Sequence, residues 1–146
     1  VPSRHNRWVE LDNGGTIGRL GYTEFFIEDG PYGNVVDAIV GGFGGGVEGV
    51  YWVPHQDAGI VLAGDRANDV LVQTCNINFG AIDIRGRELV MTAMVGVSVL
   101  VIPMENGFHI WCDPTFGRYL WRTLAEIVHE LGGAPAGIGS IYPEIP

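Results

Sequence analysis

Few side chains in this chain can do chemistry, and their spacing narrows the choice. His55-Gln56-Asp57 sets an imidazole two positions from a carboxylate, with Asp65 further along. A carboxylate beside a histidine orients the ring and stabilises its charged form, as acid–base catalysis requires. If the flanking segments Val50–Val53 and Gly59–Ala63 form a hairpin that folds back, His55, Asp57 and Asp65 can face one pocket. His-x-Asp also occurs in metal sites, but the further ligands would have to come from elsewhere. The plain alternative is a polar hairpin turn.

A second set is His109, Cys112 and Asp113. On a strand from Phe108 to Cys112, His109 and Cys112 point to opposite faces, which argues against a thiolate–imidazole pair. A helix beginning after Asp113 would lower the pKa of Cys112 through its dipole, while Asp113 competes for the same positive end. A third set is Glu126 and His129. E-x-x-H puts both on one helical face, as in carboxylate-bridged di-metal bundles, but that design needs the motif twice. Here it occurs once and on a charged face. Trp52, Trp111 and Trp121 could line an apolar ligand pocket or an interface; core packing is the simpler expectation for Trp111.

Other chemistries are closed. Every basic side chain is Arg, so a Schiff-base lysine and a P-loop lysine are absent. Gly44, Gly46 and Gly49 fit G-x-G-x-x-G, but a strand-like GVYWVP follows where a dinucleotide site needs a helix. Cys75 and Cys112 belong to no CxxC or zinc spacing; two buried thiols are expected, with a single disulfide as the alternative if the chain is secreted. No cofactor or metal is expected, a metal protein being the least favoured alternative.

The elements that must position these residues centre on Arg87–Gly133. Val95–Ile102, VGVSVLVI, is a short apolar, β-branched run expected to be a central strand buried on both faces and ended by Pro103. Asn106-Gly107 supplies the positive φ of a type I′ turn into the antiparallel strand Phe108–Cys112. Asp113 then caps a helix with Pro114 at its first position. Phe116, Leu120, Leu124, Ile127, Val128 and Leu131 cover an arc of about 140° on it, with Trp121 at the edge. Gly132 and Gly133 end it. One helix cannot cover both faces of a doubly buried strand. The second face needs another helix, another sheet or a partner chain.

Upstream, residues 1–15 form an arm with a strand around Trp8–Leu11 and a turn at Asn13-Gly14-Gly15. Thr16–Glu28 suits a strand or hairpin closed by Asp29-Gly30-Pro31. Asn34 caps a short helix over Val35–Val40, with a strand nearly as good a fit because of the β-branched residues. Val70, Val72, Thr74, Asn76 and Asn78 alternate against their neighbours, so 69–85 is assigned to a strand broken at Gly80. Leu71, Cys75, Phe79 and Ile82 also make one helical face. The tail after Gly132 is extended.

From Asn34 to Leu131 the order helix, strand, strand, an ambiguous segment, three strands, helix is similar to that of roadblock-type dimerisation modules. The segments that carry the likeness are VVDAIVGGFGGGVEGVYWV, AGIVLAG and FGRYLWRTLAEIVHEL. It implies a helix at 69–84, where alternation favours a strand, and leaves the first thirty residues without a counterpart. No family is assigned on it.

Eight Arg against seventeen Asp and Glu give a formal charge of −9, which argues against nucleic-acid or anionic-membrane surfaces. Nothing resembles a signal peptide or a membrane span, so a soluble, cytoplasmic chain is expected. The combined expectation is one α+β domain: a mainly antiparallel sheet or partly open barrel with the 113–131 helix packed on it. Its expected role is an acidic interaction module, a homo-oligomer, with no recognisable catalytic motif. The alternative is a small enzyme or ligand-binding protein with an aromatic-lined pocket for a small molecule, using His55, Asp57 or His109.

Overall fold

The computed structural model describes residues 1–12, 14–30, 33–43 and 46–140. It is an α+β fold with two antiparallel sheets and divides into two compact units, Val1–His55 and Gln56 onward. The single sheet expected from the sequence is thus two sheets, one in each unit.

The first unit is a three-stranded meander. β1 (Arg7–Glu10), β2 (Thr16–Arg19) and β3 (Phe25–Glu28) pair in chain order, with Trp8 and Ile17 buried. The turn after β1 closes through Gly14 N–H to Leu11 O, with Gly14 at φ +80°; Asn13 lies outside the described residues. Arg19 ties down the chain start, donating to the carbonyls of Ser3, Gly21 and Tyr22. α1 (Val35–Gly42) follows, so helix wins over strand here. Its cap is not Asn34, which makes no side-chain cap. The Asp29 carboxylate instead accepts from Val35 N–H at 2.8 Å and from Val36 N–H. Pro31 of the expected turn and Gly44 of the glycine run lie outside the described residues. Val50–Val53 is exposed and belongs to no strand, contrary to the hairpin expectation. None of its apolar side chains finds a buried face, and Pro54 follows immediately.

The second unit contains β4 (Ala58–Ala63), α2 (Ala67–Thr74), β5 (Val90–Met94), β6 (Val97–Met104), β7 (Gly107–Cys112) and α3 (Pro114–Glu130), with sheet order β4-β7-β6-β5. The strand assigned to 69–85 is therefore a helix followed by two 3-10 turns. Ala67, Val70, Leu71 and Thr74 are buried at i, i+3, i+4 and i+7, so burial follows the helical period over the alternation. This helix fills the ambiguous position in the roadblock-like order, but the strand at 50–53 which that order also needs is missing.

One face of the four-stranded sheet makes the core. Ile60, Leu62, Met94, Val97, Val99, Val101, Ile110 and Cys112 pack against Val70 and Leu71 of α2 and Leu120 and Leu124 of α3. Both helices lie on this face. The expectation of a strand buried on both sides fails along most of β6. Ser98 is exposed and Leu100 half-buried, while Val97, Val99 and Val101 are buried; only Val101 to Pro103 is buried without a break. Pro103 does not end the strand, because β6 runs on to pair Met104 with Gly107. The ladder to β5 stops at Val101, so the N–H that Pro103 lacks has no β5 partner to lose.

Two tight turns carry unusual backbone. Between β6 and β7 the loop is Glu105-Asn106, and Gly107, at φ +150°, is the first residue of β7. Asn106 is not at positive φ, so the type I′ turn expected at Asn106-Gly107 does not form there. It forms at Val95-Gly96, at φ +45° and +85°. A β-branched residue in that region is strained. Its surroundings hold it: Val95 N–H donates to Thr74 O at 2.8 Å, and Tyr119 Oη donates to Val95 O at 3.2 Å.

α3 starts as its sequence demands. Asp113 accepts from Thr115 N–H at 2.8 Å, and Pro114 takes the first turn. Gly132 at φ +85° and the Gly133 N–H to Val128 O bond end it. Leu120 and Leu124 are buried, but Phe116, placed on the buried arc from spacing, is half exposed. Arg66 links the helices, pairing with Asp69 at 2.9 Å and donating to Leu131 O at 3.3 Å.

Candidate functional site

The first set of chemical candidates is not gathered by a hairpin. His55 ends the first unit, whereas Asp57 and Asp65 belong to the second. Asp57 precedes β4 and Asp65 follows it. A six-residue extended strand keeps the two carboxylates about 20 Å apart at about 3.4 Å per residue.

His109 and Cys112 do lie on opposite faces of β7. Cys112 pairs with Ala58 and Val99 on the core face, while His109 pairs with Val61 and Ile102 on the other. Burial pushes the Cys112 thiol up, with the Asp57 and Asp113 carboxylates adding to the effect. The start of α3 therefore does not make Cys112 a ready thiolate. Cys75, half-buried, is likewise unlinked.

His109 is half-buried, and its ring meets the Trp111 indole edge-on at 5.7 Å between centroids. Burial holds its pKa below the ordinary value of about 6.5. The sign of the pH effect follows. The unfolded chain binds a proton on this imidazole as pH falls through about 6.5, and the folded chain resists. Stability is full above that pH and declines below it. The expected result is a fall in unfolding free energy from pH 7 to pH 5 that is shallower in His109→Gln, measured by urea titration at each pH.

Trp111 and Trp121 belong to the second unit and Trp52 to the first. Trp111 is 7% exposed and shares the non-core sheet face with Gly59 and Leu100. A Cβ at Gly59 would meet Trp111 Nε1 at 3.6 Å, an ordinary van der Waals contact. Trp121 is 44% exposed on α3, across the sheet from Trp111. Trp52 is exposed in the first unit. Glu126 and His129 stay on the exposed face of α3, where Arg122 approaches Glu126 at 3.9 Å. Among the described residues, no three of His, Cys, Asp and Glu come together as a metal-ligand group. No helix of the described residues is long and apolar enough to cross a membrane.

The sheet also presents an uncharged edge that the types of its residues do not single out. β4, AGIVLA, is an edge strand without charge, and Gly59 and Ala63 are exposed along it. Gly117 of α3 presses on Ala58, where a Cβ at Gly117 would come within 2.7 Å of Ala58 Cβ. Trp121, one turn on, shares that side of the helix. Tyr119 reaches the other way, to the β5–β6 turn. Trp121 is therefore on the side of α3 that faces β4. The sequence signal available was the absence of any charge or proline in AGIVLA, which natural edge strands usually carry. No protein-family model, curated protein or solved structure matches this chain.

Proposed function

We propose that this chain is an interaction module that works as a homo-oligomer, with the β4 side of its second unit as the contact surface. The observation that carries this reading is an uncharged sheet edge that has no strand partner among the described residues, with the exposed Trp121 on the side of α3 that meets Ala58. A large aromatic next to apolar surface is the kind of group that dominates association energetics. An edge strand without charged guards invites pairing. The net charge of −9 opposes self-association, and AGIVLA itself carries none of that charge.

Sedimentation and native mass measurements across a dilution series test the reading. The expected result is a homo-oligomer that dissociates on dilution. Trp121→Ser should weaken it at least tenfold, as for a buried aromatic anchor, without moving the unfolding midpoint of the separated chain. A chain that stays monomeric at the highest concentration reached would sink the proposal.

A further inference from the structure

The edge of β4 has a definite hydrogen-bonding pattern. Gly64 N–H donates to Asn106 O, continuing the β4–β7 ladder past the end of the strand. In an antiparallel ladder the bonded pairs alternate. With Ala58 opposite Cys112 and Leu62 opposite Phe108, the groups of Ala58, Ile60 and Leu62 turn toward β7. Those of Gly59, Val61 and Ala63 therefore point outward, and among the described residues no strand pairs with them.

We infer that the occupant of this edge is β4 of a second copy, paired antiparallel about a two-fold axis through Val61. The inference rests on the self-association reading above and names its geometry. The three outward residues are symmetric about Val61. Pairing Gly59 with Ala63, Val61 with Val61 and Ala63 with Gly59 satisfies every outward N–H and C=O of the strand, in about six hydrogen bonds. The contact is isologous and closes at two copies. Gly59, Val61 and Ala63 share the non-core face, and two of the three are small, so facing pairs do not clash. A two-fold normal to the sheet keeps both α3 helices on the same side. The two Trp121 side chains, each on the β4 side of its own α3, then lie toward the axis.

The other sheet edges are poorer. β1 and β3 carry Arg7, Glu10 and Glu28. β5 turns only Met91 and Ala93 outward, because Met94 and Val97 close the two-residue turn. The cost of the β4 pairing is that Asp57 of each copy falls opposite Asp65 of the other, at the exposed ends where water screens them.

The experiment is disulfide trapping, with sedimentation of the same proteins. Val61→Cys in a Cys75→Ser background puts two thiols at the axis, on Cα atoms about 5.5 Å apart in the paired state, within disulfide reach. Mild oxidation with diamide should link most of the protein into dimers. Ser98→Cys in the same background, exposed on β6 away from the edge, should not link. Val61→Pro removes an outward N–H while sparing the ladder to β7, and should weaken the dimer at least a hundredfold. Ala63→Lys, which adds a charge to the edge and alters no backbone group, should do the same and serves if the proline variant does not fold. A dimeric parent that neither links through Val61→Cys nor responds to Val61→Pro or Ala63→Lys overturns the edge pairing and leaves self-association standing. A monomeric parent overturns both.

Discussion

Leu120→Ala should lower the unfolding free energy by about 3 kcal/mol, whereas Phe116→Ala should cost less than about 1 kcal/mol. Spacing alone gives the two side chains equal standing, four residues apart on one helical stripe. The fold separates them. Leu120 is fully buried in the cluster with Val70, Leu71, Val99 and Ile110, so truncation removes its transfer energy and leaves a cavity that rigid sheet neighbours cannot fill. Phe116 is 50% exposed and leaves no cavity. Urea unfolding followed by tryptophan fluorescence reads both, since a change of midpoint at constant slope reports stability alone. Equal losses from the two variants would mean that α3 docks one turn earlier on the sheet than described. A shift of that kind would also break the Gly117–Ala58 approach that aims Trp121 at the β4 edge.

The helix carrying Leu120 was legible because every local signal agreed: Asp113 as cap, Pro114 at the first turn, paired glycines at the end, one apolar stripe between. The β6–β7 pair was legible from its two apolar runs, although Pro103 does not end β6 and the expected turn at Asn106-Gly107 does not form. Residues 67–74 were not. Val70, Val72 and Thr74 alternate as a strand would, and Val70, Leu71 and Thr74 also fit a helix. What decides between them is the non-local packing against α3 and the sheet. The β4 pairing was hidden more deeply. A strand next to VYWV in sequence is expected to pair with it, but β4 pairs with β7, about fifty residues away, because only β7 offers a matching buried face. With the hairpin gone, the reason for gathering His55, Asp57 and Asp65 went too. Of the candidate site, Trp121 was visible as the residue at the edge of a helical arc. The strand beneath it required the sheet order.

That sheet order also turns the question of the doubly buried strand around. The apolar run of β6 implies cover on a second face. In the fold both helices of the second unit serve one face, and β6 exposes Ser98 on the other. Among the described residues, the outward backbone groups of Gly59, Val61 and Ala63 at the sheet edge have no strand partner. They are backbone groups of β4, whose demand for partners does not depend on side-chain type. A requirement of that kind leaves almost no trace in composition, which is why motif reasoning finds histidines and tryptophans and misses it.

Gly107→Ala should cost about 3 kcal/mol or more, a large share of the stability of a domain this size. Gly107 sits at φ +150°, where an L side chain is strained. Its Cβ would collide with the carbonyl oxygen of Leu62 and come within 2.8 Å of the Ala63 Cα. Both obstacles are backbone, so no rotamer change relieves them. The response open to the fold is for the end of β4 to move away from β7. The loss should therefore be local as well as global. Amide exchange at Ile60 and Leu62, whose N–H groups turn toward β7, should speed up more than at Val99 or Val101 in the interior of the sheet. If the reading of β4 as the contact strand is right, the same substitution also weakens dimers, since a displaced Ala63 no longer meets Gly59 of the second copy. Hydrogen exchange on the variant, at concentrations above and below dissociation, measures both effects. A variant as stable as the parent would mean that the β4–β7 ladder is not seated as described. The register that turns Gly59, Val61 and Ala63 outward would fall with it.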